Sequence, residues 1–238
     1  MIVVISQPML FPWPGLIEQI LAADSYVDYA DVQFSKGSLV NRVQIKTQRG
    51  TQWLSVPLHD LHLGQHINNV RINESRDWRR QHCQRFAEAY ASAPFLDDAL
   101  AIMTSTYRRP HADIGALALD SMLAVCRYFG IGLDGKLVSS AELAIAGSGS
   151  PRVLDIVRSL GGDTYLTGHG ASRYLDHLAF EHAGIKVEYM AYAKTPYPQQ
   201  HGDFNPYVSS LDLIANTGPS GVRYLCPTHI SWREFLGR

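Results

Sequence analysis

A histidine stands between two glycines in Thr167-Gly168-His169-Gly170-Ala171-Ser172-Arg173-Tyr174, directly after the apolar run Asp163-Thr164-Tyr165-Leu166-Thr167. Two glycines at a strand-to-helix turn free the backbone to cradle a ligand. His169 would then stand at the carboxyl edge of a sheet, where it can act as acid, base or donor. Ser172 is placed to cap the following helix. The same residues also read as a plain tight turn. The strict dinucleotide pattern needs another glycine where Arg173 stands, so that reading has little support.

A second group is Lys36, Asn41, Arg42 and Lys46. On an alternating strand Arg42, Gln44 and Lys46 share one face, and such a row can bind phosphate or carboxylate, Arg42 bidentately. The competing reading is a solvated strand face. A third group is the loop Gln7-Pro8-Met9-Leu10-Phe11-Pro12-Trp13-Pro14-Gly15, which leads from a first strand into a first helix. A helix N-terminus there offers free N–H groups to an anion, and Gly15 would let a ligand approach the backbone. Alternatively, Pro12, Trp13 and Pro14 only stiffen a turn. A fourth is Tyr197-Pro198-Gln199-Gln200-His201, with Phe204 and Ser209-Ser210-Leu211-Asp212. It can close over a pocket, although Ser209 or Asp212 can equally serve as a helix cap.

Other chemistries find little footing. His59, His62 and His66 lie close together, but Pro57 and Gly64 beside them suggest a loop rather than a fixed metal-binding element. No Gly-x-Ser-x-Gly elbow and no phosphate-binding P-loop motif is present. No motif names a cofactor.

The elements that must position these residues follow from periodicity. Residues 2–5 form a β-branched apolar run, read as a buried strand. A helix runs from about Leu16 to Asp24, and Tyr26–Tyr29 and Val32–Phe34 read as strand fragments. Leu39–Lys46 and Thr51–Val56 alternate around Arg49-Gly50, which predicts a hairpin. His66–Ile72 alternates again. Helices are predicted at 78–90, 95–107, 113–129, 152–160, 171–182 and 209–216, with strands at 136–138, 163–167 and, last, 185–189. Strand–helix alternation at both ends predicts an α/β fold: a parallel or mixed sheet flanked by helices, with an inserted strand-rich segment near 32–72. The 238 residues are read as a single domain.

Composition bounds the partners. With 21 basic and 22 acidic residues the formal charge is −1, so no basic field points to nucleic acid. Three scattered cysteines, Cys83, Cys126 and Cys226, suggest a reducing compartment. No run is long enough to span a membrane, and the opening residues lack a signal-peptide pattern, so a cytoplasmic protein is expected.

The run Ser6–Gly15 resembles the opening motif of the WbqC-like family. The resemblance continues in order through Ala23-Asp24, Asp31–Lys36, Asn41-Arg42, Ile45-Lys46, Trp53–Pro57, Asp163–Gly168, Tyr174–Asp176, Tyr197 with Gln199, Ser209 with Asp212, and Asn216–Gly218. It covers almost the whole chain. The resemblance implies a bacterial protein linked to surface polysaccharide pathways such as O-antigen synthesis. Family members often carry His just before Gln-Pro; this chain has Ser6 there, and His169 is the candidate substitute. The first loop is also similar to that of nucleotidyl-transferring α/β enzymes, but it lacks their phosphate-stabilising histidines. The resulting expectation is a transferase or ligase-like enzyme acting on an activated sugar or acyl substrate, with a sugar nucleotide or acyl carrier as small-molecule partner. Catalytic roles fall to His169, Arg42 and Asp212. Substrate binding falls to Gln7, Trp13, Gly15, Lys36, Asn41, Lys46, Gly168, Gly170, Tyr174 and Gln199. The alternative is a non-catalytic binding or scaffold protein of a biosynthetic assembly.

Overall fold

The apolar run becomes the centre of the sheet. The computed structural model describes residues 1–237. In chain order it contains β1 (Ile2–Ser6), α1 (Pro14–Ala22), β2 (Ser25–Asp28), β3 (Arg42–Thr47), β4 (Gly50–Ser55), α2 (Trp78–Ala89), α3 (Leu96–Arg108) and α4 (Ile114–Tyr128). It continues with β5 (Leu137–Ser139), α5 (Gly149–Ser159), β6 (Thr164–Thr167), α6 (His177–His182), β7 (Lys186–Met190), α7 (Ser210–Thr217), β8 (His229–Ser231) and α8 (Trp232–Leu236).

The main sheet has the order β5-β2-β1-β6-β7-β8, parallel except for β8, which runs antiparallel to β7. β1 is central: Val3 pairs with Ser25 on one side and with Tyr165 on the other. Side chains alternate across a strand, so the sheet sorts its residues onto two faces. Val4, Tyr26, Leu166 and Met190 join a core with α1, α3, α4 and α7. Val3, Ile5, Val27, Tyr165, Val187 and Tyr189 join a second core with α5, α6 and α8. The fold is therefore α/β, a mixed and mostly parallel sheet with helices on both faces.

The hairpin β3–β4 forms its own two-stranded sheet, with Thr47 paired to Gly50 across the turn. Its inward residues Val43, Ile45 and Leu54 pack into the same core as α1 and α3. The strand-rich segment is thus real but is not hydrogen-bonded into the main sheet. Within it, Val32–Phe34 contributes one bridge, Gln33 to His66, and Ile67–Asn69 is a 3-10 turn rather than a strand. The helix predicted over 171–182 is two pieces: a 3-10 turn at His169–Arg173, then α6, capped by Asp176 accepting from Ala179 N–H. Ser172 caps nothing; its hydroxyl donates to His169 O. β8 and α8 carry no alternation long enough to predict, and β7 is not the last strand.

Asp28 ends β2 buried, and its Oδ1 has no hydrogen-bond partner. Burial, with Asp113 and Asp31 nearby, pushes its pKa up to about 7. Among the described residues no helix is long and apolar enough to cross a membrane, and no group of three or more His, Cys, Asp or Glu is placed to hold a metal.

Candidate functional site

The chain leaves β1 toward β2 on one side and returns to β6 on the other, so the strand order reverses between β1 and β6. In open α/β sheets ligands bind at the carboxyl ends of the strands at such a reversal. A cleft of about 790 Å³ opens there. It is lined by Ser6 and Gln7 from the end of β1, Trp13 and Gln19 from the first loop and α1, Tyr29 after β2, and Ser148-Gly149 at the start of α5. Thr167 at the end of β6 is followed by Gly168 through Ala171 and by Tyr174, and Tyr192, Lys194 and Tyr207 complete the wall. The volume suits a small-molecule ligand.

The proline loop is held from outside the cleft. Phe11, in the left-handed region at φ 38°, donates its N–H to the buried Ser121 hydroxyl at 2.8 Å. Ser209 donates to Phe11 O at 2.7 Å while accepting from Leu211 N–H as the cap of α7. These anchors fix the direction in which Trp13 enters the cleft. The indole lies on Gly15: a Cβ there would overlap its six-membered ring. The space above Gly15 is therefore filled by the chain's own Trp13 and not kept for a ligand. This gives a test with opposed terms. Alanine in a helix gains about 1 kcal/mol over glycine, but overpacking costs about 1–3 kcal/mol. Gly15→Ala is expected to lower the melting temperature and shift Trp13 fluorescence; a rise in melting temperature would show the indole seated elsewhere.

Across the cleft, His169 shares its Nε2 hydrogen bond with Met190 O at 2.7 Å. A carbonyl only accepts, so Nε2 carries a proton, and the tautomer able to take up a further proton does so at Nδ1. Tyr192 and Phe235 pack on the imidazole with centroids at 4.9 and 4.8 Å. Gly168 leaves room for the Gln19–Tyr192 side-chain hydrogen bond, both polar atoms being 2.9 Å from where a Cβ would stand. Gly170 has only open space around it. Tyr192 and Lys194 adopt φ 48° and 51°. Non-glycine residues held there cost of order 1–3 kcal/mol each, and such strain concentrates at functional sites. Lys194 donates to the Tyr207 hydroxyl at 2.7 Å.

The model of the WbqC-like protein family matches residues 7–224. The chain belongs to the WbqC-like protein family. A protein from Mycobacterium tuberculosis (strain ATCC 25618 / H37Rv), "Uncharacterized protein Rv1507c", is 29% identical over 227 residues, covering 94% of this chain and 96% of its own. No solved structure matches the chain. Of the cleft lining in this WbqC-like protein, Gln7 through Tyr207 lie inside the matched range, while Ile5 and Ser6 lie outside it.

The sequence-predicted residues divide into two places. Gln7, Trp13, Gly168, His169, Gly170 and Tyr174 line the cleft, and Gly15 supports its wall. Arg42, Lys36, Asn41, Lys46, Gln199 and Asp212 do not line it. Lys36 is exposed on a turn. Asn41 donates to Val56 O at 3.0 Å and closes the hairpin. Arg42 stacks over Trp53 at 4.2 Å and donates to Gly37 O. Lys46 does not share a solvated face with Arg42; it is buried, its Nζ donating to Gln199 Oε1 at 3.1 Å and to the carbonyls of Gly202 and Asp203. Asp212 is fully buried and accepts from Tyr90 and Tyr197 at 2.6 and 2.8 Å. Sequence reasoning passed over Gln19, Tyr29, Ser148, Tyr192, Lys194 and Tyr207. Position just beyond β2 and β7 was the available signal for Tyr29, Tyr192 and Lys194.

Proposed function

We propose that the cleft is the active site of a group-transfer enzyme whose activated sugar or acyl donor carries an anionic part, in a bacterial polysaccharide or specialised-metabolite pathway. One observation carries this reading: among the described residues no Asp or Glu lines the cleft, whereas Lys194, His169 and the start of α5 do. The Ser148 side chain caps none of the α5 N–H groups, so that helix end keeps donors to offer. Trp13, Tyr29, Tyr174 and Tyr192 supply flat apolar surface with polar tips, suited to stacking a base or sugar.

In such a transfer an acceptor O–H or N–H attacks the activated carbon. The new bond forms as the bond to phosphate or thiolate breaks, and the leaving group departs with its electron pair. His169 Nδ1 takes the acceptor's proton, and Lys194 offsets the charge growing on the leaving group.

Calorimetry with sugar nucleotides and acyl thioesters, followed by turnover of whichever donor binds, tests this. His169→Gln can still donate a side-chain N–H toward Met190 O, so it should bind donor within about threefold of wild type and lose about 100-fold or more in turnover. Lys194→Met should weaken donor binding about tenfold or more. Full turnover by His169→Gln would remove the histidine from the chemistry. Donor binding without turnover would favour the binding or scaffold role instead.

A further inference from the structure

Behind Trp13 a second, narrower slot of about 20 Å³ shares Trp13, Tyr192 and Lys194 with the cleft. Its remaining walls include Tyr197, Phe204 and Tyr224, and Glu18 from α1. Tyr197 packs edge-on to Phe204 at 5.1 Å and tilted to Tyr224 at 5.9 Å, so the rings hold one another in place.

Glu18 is the group in this slot that needs explaining. It is 3% exposed, and one carboxylate oxygen accepts from Cys226 N–H at 3.2 Å. Among the described residues it makes no ion pair. Lys194 lines the same slot with its ammonium on the Tyr207 hydroxyl. Burial raises the Glu18 pKa, the cost of a carboxylate with too little to offset it. A carboxylate among aromatic faces is the environment that recognises a cation.

Size and donor set narrow the cation. The space admits about one water-sized group, so a compact –NH3⁺ head fits and a planar guanidinium does not. A hard metal ion needs several oxygen ligands, and among the described residues only one carboxylate lines the slot.

We propose that Glu18 and the surrounding aromatic rings form a subsite for a primary ammonium group, carried by a molecule that also occupies the cleft. The inference rests on the cleft being a substrate site and adds the chemical class: a substrate bearing an amine, such as an amino sugar or an aminoacyl group. The anionic part would lie toward Lys194 and α5, and the amine would pass Trp13 to Glu18.

The test uses the full chain and ethylammonium chloride alone, so it reads the slot independently of any donor. The Trp13 indole N–H resonance, assigned by Trp13→Phe, is followed during titration in the millimolar range. Sodium chloride at equal ionic strength and ethanol are the controls. A saturable shift with ethylammonium and with neither control is expected. Glu18→Gln keeps an acceptor for Cys226 N–H and removes the charge; it should weaken the titration about tenfold or more. Glu18→Asp keeps the charge one methylene further back and should weaken it less, which keeps the result readable if the Gln variant unfolds. No saturable shift in wild type, an equal shift with sodium, or unchanged affinity in Glu18→Gln would each overturn the subsite. Ethylammonium binding with no donor binding would spare the subsite and count against the cleft reading; the reverse pattern would do the opposite.

Discussion

Asp212→Ala is expected to lower unfolding free energy by about 3–5 kcal/mol, or roughly 10 °C in melting temperature for a chain of this size. The reason is a closed hydrogen-bond chain. Lys46 N–H donates to Tyr90 Oη at 3.0 Å, Tyr90 donates to Asp212, and Tyr197 donates to the other carboxylate oxygen. Gln199 Nε2 donates to Tyr197 Oη at 2.9 Å, and Lys46 Nζ returns to Gln199 Oε1. Burial raises the Asp212 pKa, while the two tyrosine hydroxyls act to lower it. Deleting the carboxylate strands two buried hydroxyls and opens a void, and both losses add. Asp212, expected to be catalytic as part of a loop that can close over a pocket, is thus the hydrogen-bonded anchor of the segment that carries Tyr197 through Ser209. Thermal unfolding and turnover measured together separate the roles. Lost turnover at unchanged melting temperature would return Asp212 to the chemistry.

Asp28→Asn should do the reverse and stabilise the protein, but only at higher pH. The folded pKa of about 7 lies above the ordinary 3.8, so the folded state keeps a proton that the unfolded chain gives up first. Between about pH 4 and pH 7 the folded state holds more protons, and stability falls as pH rises. Roughly three pKa units at about 1.4 kcal/mol each make the full cost on the order of 4 kcal/mol above pH 7. Below about pH 4 both states are protonated and the cost is absent. Melting curves of wild type and Asp28→Asn should nearly coincide at pH 4 and separate by pH 8. Parallel curves across that range would mean that Asp28 finds a partner for its charge.

These two aspartates show what sequence could and could not convey. β1, β6 and the hairpin were legible because two-residue alternation and β-branched runs report burial locally. Gly168–Gly170 was legible as a turn after a strand, although the residues alone left a plain tight turn and a ligand cradle equally open. The polar residues could not be sorted from sequence because residue type alone does not reveal orientation. Lys46 and Arg42 share a strand, yet one is buried under the Gln199 segment and the other lies across Trp53. Lys194 gave no pattern because its place depends on a left-handed backbone conformation two residues after another, and no propensity predicts that. Glu18 reads on α1 as an ordinary polar position; only its enclosure in the slot it lines with Tyr224 and Tyr197 makes it a buried acidic group.

Both outer strands of the main sheet, β5 and β8, are three residues long. β8 runs straight into α8, and β5 is followed by a turn. A sheet margin this brief offers a neighbouring molecule too few unpaired amides and carbonyls to extend the ladder. The C-terminal segment beyond the matched family range thus pairs the outer edge of β7 and leaves only a three-residue margin for a further strand to join.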